Sequence, residues 1–275
     1  MRSLLAFACV FLFTTSYSQY YFNDMVSTQA SNEQYKLLRA NKIRKIKATS
    51  YEADNTITNG FSLEEEISLD GKRIILSTAI SSGRSSVTNR FYELSKLKKT
   101  QSVNNGIDSK TEYTYNEKGQ IQKIAFITTD TAMKSTLTEV HEWKYNEAGQ
   151  PVSMLKIKNT KDTTVIEFMK DEQGLITEER WKRKNRVVET YYYYYDANKQ
   201  LTDIVRYNTR LKKLLPDFQY EYDANGRVSK MTQLSMSTNS YLIWQYVYNE
   251  KGLKLKEVGF DKGGAMIGRI EYVYE

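Results

Sequence analysis

The sequence predicts an all-β protein: a repetitive antiparallel up-and-down meander forming one large curled or open-rolled sheet, with a short N-terminal helix. Three observations carry this. Six tight-turn signals of one chemistry recur through the second half of the chain. The segments between them are rich in Thr, Val, Ile and tyrosine, of which there are 22, a composition that suits half-buried pleated strands. The two prolines, Pro151 and Pro216, sit at or near expected turns, where a missing amide is tolerated.

The stretch Tyr220–Met231, YEYDANGRVSKM, shows the unit most clearly. Asp223-Ala224-Asn225-Gly226 fits a type I turn followed by a residue with positive φ. An Asp at the first position accepts a backbone amide two residues on, and Gly226 takes the left-handed conformation without a Cβ clash. The resulting bulged hairpin places Tyr222 opposite Val228. A one-residue slip would turn every side chain to the wrong face.

Taken in order, the chain begins with a secretory signal. Arg2 precedes an apolar run, Leu4–Phe13, too short to span a bilayer, and Thr14–Ser18 supplies small and polar residues before Gln19. Cleavage after Ser18 removes Cys9, the only cysteine, and leaves no disulfide or thiol chemistry. Cys9 lies inside the apolar run and is a poor candidate for lipid attachment. The formal charge of +7 falls by the one contributed by Arg2. This modest basic excess favours anionic partners without demanding them.

Residues 19–30 are polar and read as frayed. Ser31 then opens a short helix, with Gln34 at capping-box spacing and Tyr35, Leu37 and Leu38 on its apolar side, ending near Asn41. Strand-like segments follow at 42–51, 61–69, 72–80 and 86–95, with Asp70-Gly71 as a hairpin signal. Lys96–Gly106 reads as a polar loop and a subdomain boundary. This divides the chain into a signal peptide (1–18), an N-terminal segment (19–106) and a hairpin-repeat region (107–275) continuous with the preceding sheet.

In the last region the turns are Asn116–Gly119, Asn146–Gly149, Asp171–Gly174, Asp196–Lys199, Asp223–Gly226 and Asn249–Gly252, spaced 25 to 30 residues apart. Looser polar turns fall halfway between them, at Asn159–Asp162, Arg183–Arg186, Thr209–Lys213, Ser237–Asn239 and Asp261–Gly264. The spacing gives some thirteen strands of roughly nine residues, each reaching about 30 Å.

The pattern Tyr-x-Tyr-Asp-x-x-Gly-Arg-Val at Tyr220–Val228 resembles the YD repeat of Rhs-type bacterial proteins. Tyr113–Gly119 and Tyr246–Gly252 are close variants. Trp143–Gly149 replaces the first Tyr by Trp, Phe168–Gly174 keeps the turn but has Lys170 for the second Tyr, and Tyr193–Lys199 loses the glycine. The resemblance covers residues 107–275. It implies an extended sheet that curls or spirals, in surface or secreted proteins, some enclosing a toxin and some labelled carbohydrate-binding. This chain is short for a full shell and carries no appended toxin, so the expectation is a small cell-envelope member rather than a toxin-delivery device.

Two candidate sites emerge. Tyr113, Tyr115, Trp143, Tyr145, Tyr193, Tyr195, Tyr220, Tyr222, Tyr246 and Tyr248 form an aromatic row across neighbouring hairpins. It reads either as cross-strand packing or as a platform on which sugars stack, with Tyr193, Tyr195, Tyr220, Tyr222, Tyr246 and Tyr248 as its centre. In Tyr191–Tyr195, alternation sets Tyr191, Tyr193 and Tyr195 against Tyr192 and Tyr194. The second candidate lies on the looser turns. Lys182, Arg183, Lys184 and Arg186 on one, and Arg210, Lys212 and Lys213 on the next, gather positive charge. The Asn/Asp-Gly turns carry acids instead: Glu117, Glu147, Asp171, Glu172, Asp196, Asp223 and Glu250. The basic turns read as solvation or as a site for acidic polysaccharide, lipopolysaccharide or an acidic protein face, with nucleic acid disfavoured outside the cell.

No catalytic signature stands out. His141 is the only histidine, so zinc ligation lacks partners. No carboxylate pair suggests glycosidase chemistry, and there is no glycine-rich phosphate loop or nucleophile elbow. No cofactor or metal is implied. The strand Leu175–Arg183 carries Glu178, Arg180 and Lys182 on one face and Glu179 on the other, which argues against a transmembrane barrel. Three readings stay open: a non-catalytic binding protein of the envelope or exterior, a structural protein joined through a sheet edge, and a secreted hydrolase using unidentified carboxylates.

Overall fold

The structure is a computed structural model that describes residues 19–80, 83–104, 106–208, 211–235 and 240–275. The expected signal peptide (1–18), Arg210 and the expected Ser237–Asn239 turn lie outside the described residues. A π-helical turn, Tyr21–Val26, runs directly into helix α1, Ser27–Ala40. Helical structure therefore starts well before Ser31. The segment expected to fray is held by tertiary burial: Tyr20, Asp24, Thr28, Tyr35 and Leu38 are all buried, at spacings that share one helical face. Ser31 caps nothing. Its Oγ lies 3.0 Å from the Tyr92 hydroxyl.

Eighteen strands follow among the described residues: β1 (Lys45–Glu52), β2 (Ser62–Ile67), β3 (Arg73–Ala79), β4 (Ser85–Glu93), β5 (Lys96–Asn104), β6 (Ile107–Tyr115), β7 (Ile121–Asp130), β8 (Ser135–Tyr145), β9 (Pro151–Lys158), β10 (Asp162–Lys170), β11 (Ile176–Arg183), β12 (Arg186–Tyr195), β13 (Leu201–Asn208), β14 (Lys213–Tyr222), β15 (Val228–Ser235), β16 (Ser240–Tyr248), β17 (Lys254–Phe260) and β18 (Met266–Tyr274). Thirteen lie after residue 106, as expected from the turn spacing. The expected polar loop at 96–106 is instead β5. Leu94 and Ser95, both left-handed at φ 48° and 61°, make a two-residue turn of the kind that hairpins favour. Neither is a residue type that announces such a turn.

All eighteen strands belong to one antiparallel sheet, and the expectation of an open-rolled or curled sheet is corrected here. β1 pairs with β2 (Ala48 opposite Leu63) and also with β18, from Ile46 opposite Tyr274 to Glu52 opposite Gly268. Lys45 and Glu275 exchange backbone hydrogen bonds at 2.8 and 3.0 Å. The first and last strands thus satisfy each other, and in its connectivity the sheet is a closed 18-stranded antiparallel barrel. Closure leaves neither β1 nor β18 as an open edge.

The chain divides into two compact units, one comprising the residues up to 105 together with 242–275, the other 106–241. In the first, Ala48, Leu63, Leu76 and Ile270 form a buried cluster with Phe61 and Tyr272 against it. Helix α1 packs on the same unit. Tyr35 stacks on Tyr92 with ring centroids 4.0 Å apart, Asn32 Oδ1 accepts the Leu97 amide at 2.8 Å, and the Tyr35 hydroxyl donates to the Gly71 carbonyl. The core of the second unit runs strand to strand through Ile124, Trp143, Met154, Ile166, Tyr191, Tyr193 and Ile204, all buried. No helix among the described residues is long and apolar enough to cross a membrane.

Candidate functional site

The repeated turns are built as their sequence requires. In each, the first residue's carbonyl accepts the fourth residue's amide at 2.8–3.1 Å, and its own amide donates to the carbonyl after the turn. The Asn or Asp Oδ1 accepts that same residue's amide, as in Asp223 with Arg227 at 3.0 Å. Tyr222 stands opposite Val228, the expected register. Gly226 has φ 76°, and Lys199, where the glycine is missing, adopts φ 63°. Asp261–Gly264, expected as a looser turn, has the same geometry: Gly264 N to Asp261 O is 3.0 Å and Ala265 N to Asp261 Oδ1 is 2.9 Å.

The aromatic row lies on the less exposed face of its strands, where it does structural work. The tyrosines preceding three of these turns, and Tyr274 at the end of β18, reach to the neighbouring hairpin: Tyr145 donates to the Ile121 carbonyl (2.5 Å), Tyr195 to Ile176 (2.8 Å), Tyr222 to Leu201 (2.6 Å) and Tyr274 to Lys254 (2.6 Å). Each carbonyl belongs to the first residue of the strand leaving the previous Asn/Asp turn, so the hydroxyls strap repeat to repeat. Burial, then the charge of Asp196, pushes the Tyr222 hydroxyl up to about 12, and burial pushes Tyr220 up as well. Phe218 and Tyr220 stack at 6.2 Å, and Lys254 Nζ sits 4.7 Å from the Tyr246 ring centre. Tyr193 is buried and Tyr248 is half-buried. Two departures from the repeat meet: Trp143 stacks on Phe168 with centroids 5.1 Å apart. Tyr194, on the opposite face, is exposed.

On the same face as the row lie carboxylates to which the sequence assigned no partner. Glu179 is fully buried; its Oε1 accepts from Trp181 Nε1 (2.6 Å) and its Oε2 from the Tyr193 hydroxyl (2.7 Å). The available signal was Glu-x-Trp on a strand whose neighbour carries alternating tyrosines. His141 is buried, with Nε2 2.9 Å from Glu139 Oε1, and Lys156 Nζ lies 3.1 Å from Glu139 Oε2. Burial alone would raise the Glu139 carboxyl, but the His141 hydrogen bond and the Lys156 charge outweigh it and hold it down at about 2. Arg206 pairs with Asp217 at 3.0 Å, and burial raises the nearby Glu189. In the other unit, Glu257 accepts from Tyr272 and lies 3.2 Å from Lys254 Nζ. These groups act as hydrogen-bond acceptors and ion-pair partners. Among the described residues no three of His, Cys, Asp or Glu are grouped to hold a metal ion.

The basic candidates lie at one end of the 106–241 unit. Because strands alternate in direction, the turns β7–β8, β9–β10, β11–β12 and β13–β14 share the end opposite the Asn/Asp-Gly turns. Lys182 pairs with Glu167 at 2.6 Å, and Arg183 lies 3.6 Å from Asp162 and donates to Thr164 Oγ1 at 3.1 Å. Lys184, Arg186, Lys212 and Lys213 are exposed. Among the described residues they form no ion pair. Lys184 and Asn185 are left-handed at φ 45° and 62°, which turns the chain tightly and leaves the Lys184 side chain at the tip.

The family profile named Teneurin YD-shell matches residues 28–275. Among curated proteins none matches. Three solved structures bear a distant likeness. A porin-like protein from Bacteroides uniformis is 9% identical, with TM-score 0.40, over 85% of this chain and 98% of that one. The Tc holotoxin pore of Photorhabdus luminescens is 11% identical, with TM-score 0.32, over 85% of this chain and 17% of that one. A porin-like protein from Bacteroides vulgatus is 10% identical, with TM-score 0.31, over 85% and 98%. The profile match extends over the strapped hairpins and through the N-terminal strands to within α1, and on it the chain belongs to the teneurin YD-shell family.

Proposed function

We propose that this protein is a non-catalytic, exported interaction module of the cell envelope or exterior, which binds anionic partners through the basic turns of its 106–241 unit. One observation carries the reading: Glu139, Glu179 and Glu257 are engaged by neighbouring side chains, whereas Lys184, Arg186, Lys212 and Lys213 stand exposed together. Such a cluster focuses positive potential and attracts anions, with an effect that fades as salt rises. The hydrolase reading loses support because Glu139, Glu179 and Glu257 are committed to Lys156, Trp181, Tyr193 and Tyr272. Assembly through a terminal sheet edge loses support because β1 and β18 pair with each other.

A barrel that spans lipid is also disfavoured. Ion pairs such as Lys182–Glu167, Lys123–Glu142 and Lys230–Glu221 lie on the strand face opposite the aromatic row, where lipid would have to be. The test is binding of acidic polysaccharide across a salt series, with wild type beside a variant in which Lys184, Arg186, Lys212 and Lys213 are changed to Glu. Wild-type binding should weaken with salt and vanish in the variant. Binding that is unchanged or insensitive to salt would reduce the patch to solvation. Export rests on Arg2, the Leu4–Phe13 run and Thr14–Ser18. It predicts a mature N-terminus at Gln19 by mass spectrometry, and intact Met1 in soluble cytoplasm would overturn it.

A further inference from the structure

The basic end of the 106–241 unit is also apolar. Among the described residues the turns β7–β8, β9–β10, β11–β12 and β13–β14 carry the exposed lysines Lys134, Lys161, Lys184 and Lys212, with Lys213 next to the last. Beside them, bulky apolar side chains face water. Met133 is 79% exposed and Leu211 43%, both at turn tips. Val187 and Val188, just past the β11–β12 turn, are about half exposed, as are Tyr207 and Leu214, which stand opposite each other next to the β13–β14 turn. A solvated rim has no need of this second feature, since solubility favours the charges and opposes exposed methionine and leucine. The acids of these turns are occupied: Asp130 Oδ1 accepts the Ala132 and Met133 amides at 2.9 Å each, and Asp162 faces Arg183.

We propose that this end docks on an anionic lipid surface, with Met133 and Leu211 entering the headgroup boundary and the four lysines meeting lipid phosphates. The inference rests on the anion-binding reading and narrows it to one partner class. Charge complementarity selects an anionic surface, and exposed aliphatics interleaved with cations select lipid over a soluble polyanion, which offers nothing apolar to bury. The arrangement is that of an interfacial anchor, in which apolar burial and electrostatic attraction act together, here assembled from turns rather than from a helix.

The experiment is co-sedimentation of the full chain with phosphatidylcholine vesicles, with and without phosphatidylglycerol, beside a soluble acidic polysaccharide. Binding should require phosphatidylglycerol. Changing Lys134, Lys184 and Lys212 to Gln should weaken it by roughly fivefold per cation. Met133→Ser with Leu211→Ser should weaken vesicle binding about tenfold while leaving polysaccharide binding unchanged. Met133→Trp should show a blue-shifted emission on phosphatidylglycerol vesicles alone. These positions are exposed turn residues, and far-UV circular dichroism checks that each variant keeps the fold. Vesicle binding untouched by the Ser substitutions, or an unshifted Met133→Trp emission, overturns the lipid assignment. Polysaccharide binding without vesicle binding overturns it too, but leaves the anion-binding function standing. Binding to neither overturns both.

Discussion

The turn at Asp196–Lys199 provides a quantitative test of how the repeat is built. Lys199 holds φ 63° and donates its amide to the Asp196 carbonyl at 3.0 Å, while Gly226 holds φ 76° and makes the same bond at 2.9 Å. The two turns share one geometry, yet only one has the residue that adopts it freely. A left-handed L-residue costs about 1–2 kcal/mol, and a glycine loses about 0.4–1 kcal/mol through its freer unfolded chain. Lys199→Gly should therefore stabilise by about 0.5–1 kcal/mol, raising Tm by about 2 °C in a chain of this size. At Gly226 the sign reverses. A Cβ there would lie 3.1 Å from Gln200 Nε2, which donates to the Gly226 carbonyl at 3.0 Å. Gly226→Val adds the left-handed cost to a disturbed hydrogen bond, about 2 kcal/mol together, and should lower Tm by about 6 °C. Thermal melts followed by near-UV circular dichroism, with urea titrations for free energies, measure both. A neutral or destabilised Lys199→Gly would refute the reasoning, since the left-handed strain would then be absent from a turn that shows its dihedral angle.

Other outcomes follow from the buried network. Glu179→Ala leaves the Trp181 and Tyr193 donors without their shared acceptor in a buried site, and should cost about 3 kcal/mol by urea titration. Removing a strap hydroxyl in Tyr195→Phe or Tyr222→Phe should cost about 1 kcal/mol each, whereas Tyr194→Phe, on the exposed face, should be neutral in the same titration. Glu139 titrates at about 2 when folded against the usual 4.5. Because the folded value is depressed, its contribution is fully present above pH 4.5 and is lost as pH falls from there through about 2. Glu139→Gln should flatten the stability–pH curve in that acid window, and stability measured at stepped pH checks this.

What the sequence by itself determined was local. A turn is a contract among four or five consecutive residues, so Asp223 and Gly226 could announce the bulged hairpin and the Tyr222–Val228 register without any distant partner. The family motif and the number of strands after residue 106 were legible for the same reason. Turns that lack Gly or Asn at their left-handed positions are less visible, which is why β5 reads as a loop in the sequence, behind Leu94-Ser95. What only the tertiary structure decided was long-range. Turn chemistry fixes which strand follows which, but nothing in it states that β18 will find β1, so an open sheet and a closed one share the same local code. The helix gave way likewise. Residues 19–30 carry no capping signal and read as frayed although they include Tyr20, Tyr21, Phe22, Met25 and Val26, and they are ordered because Tyr20, Asp24 and Thr28 find burial. Glu179 reads as a misplaced charge on an apolar face until Trp181 and Tyr193 are placed around it. A carboxylate's worth depends on donors 2 and 14 residues away in sequence, and pairing across strands, rather than propensity, brings the farther donor within reach.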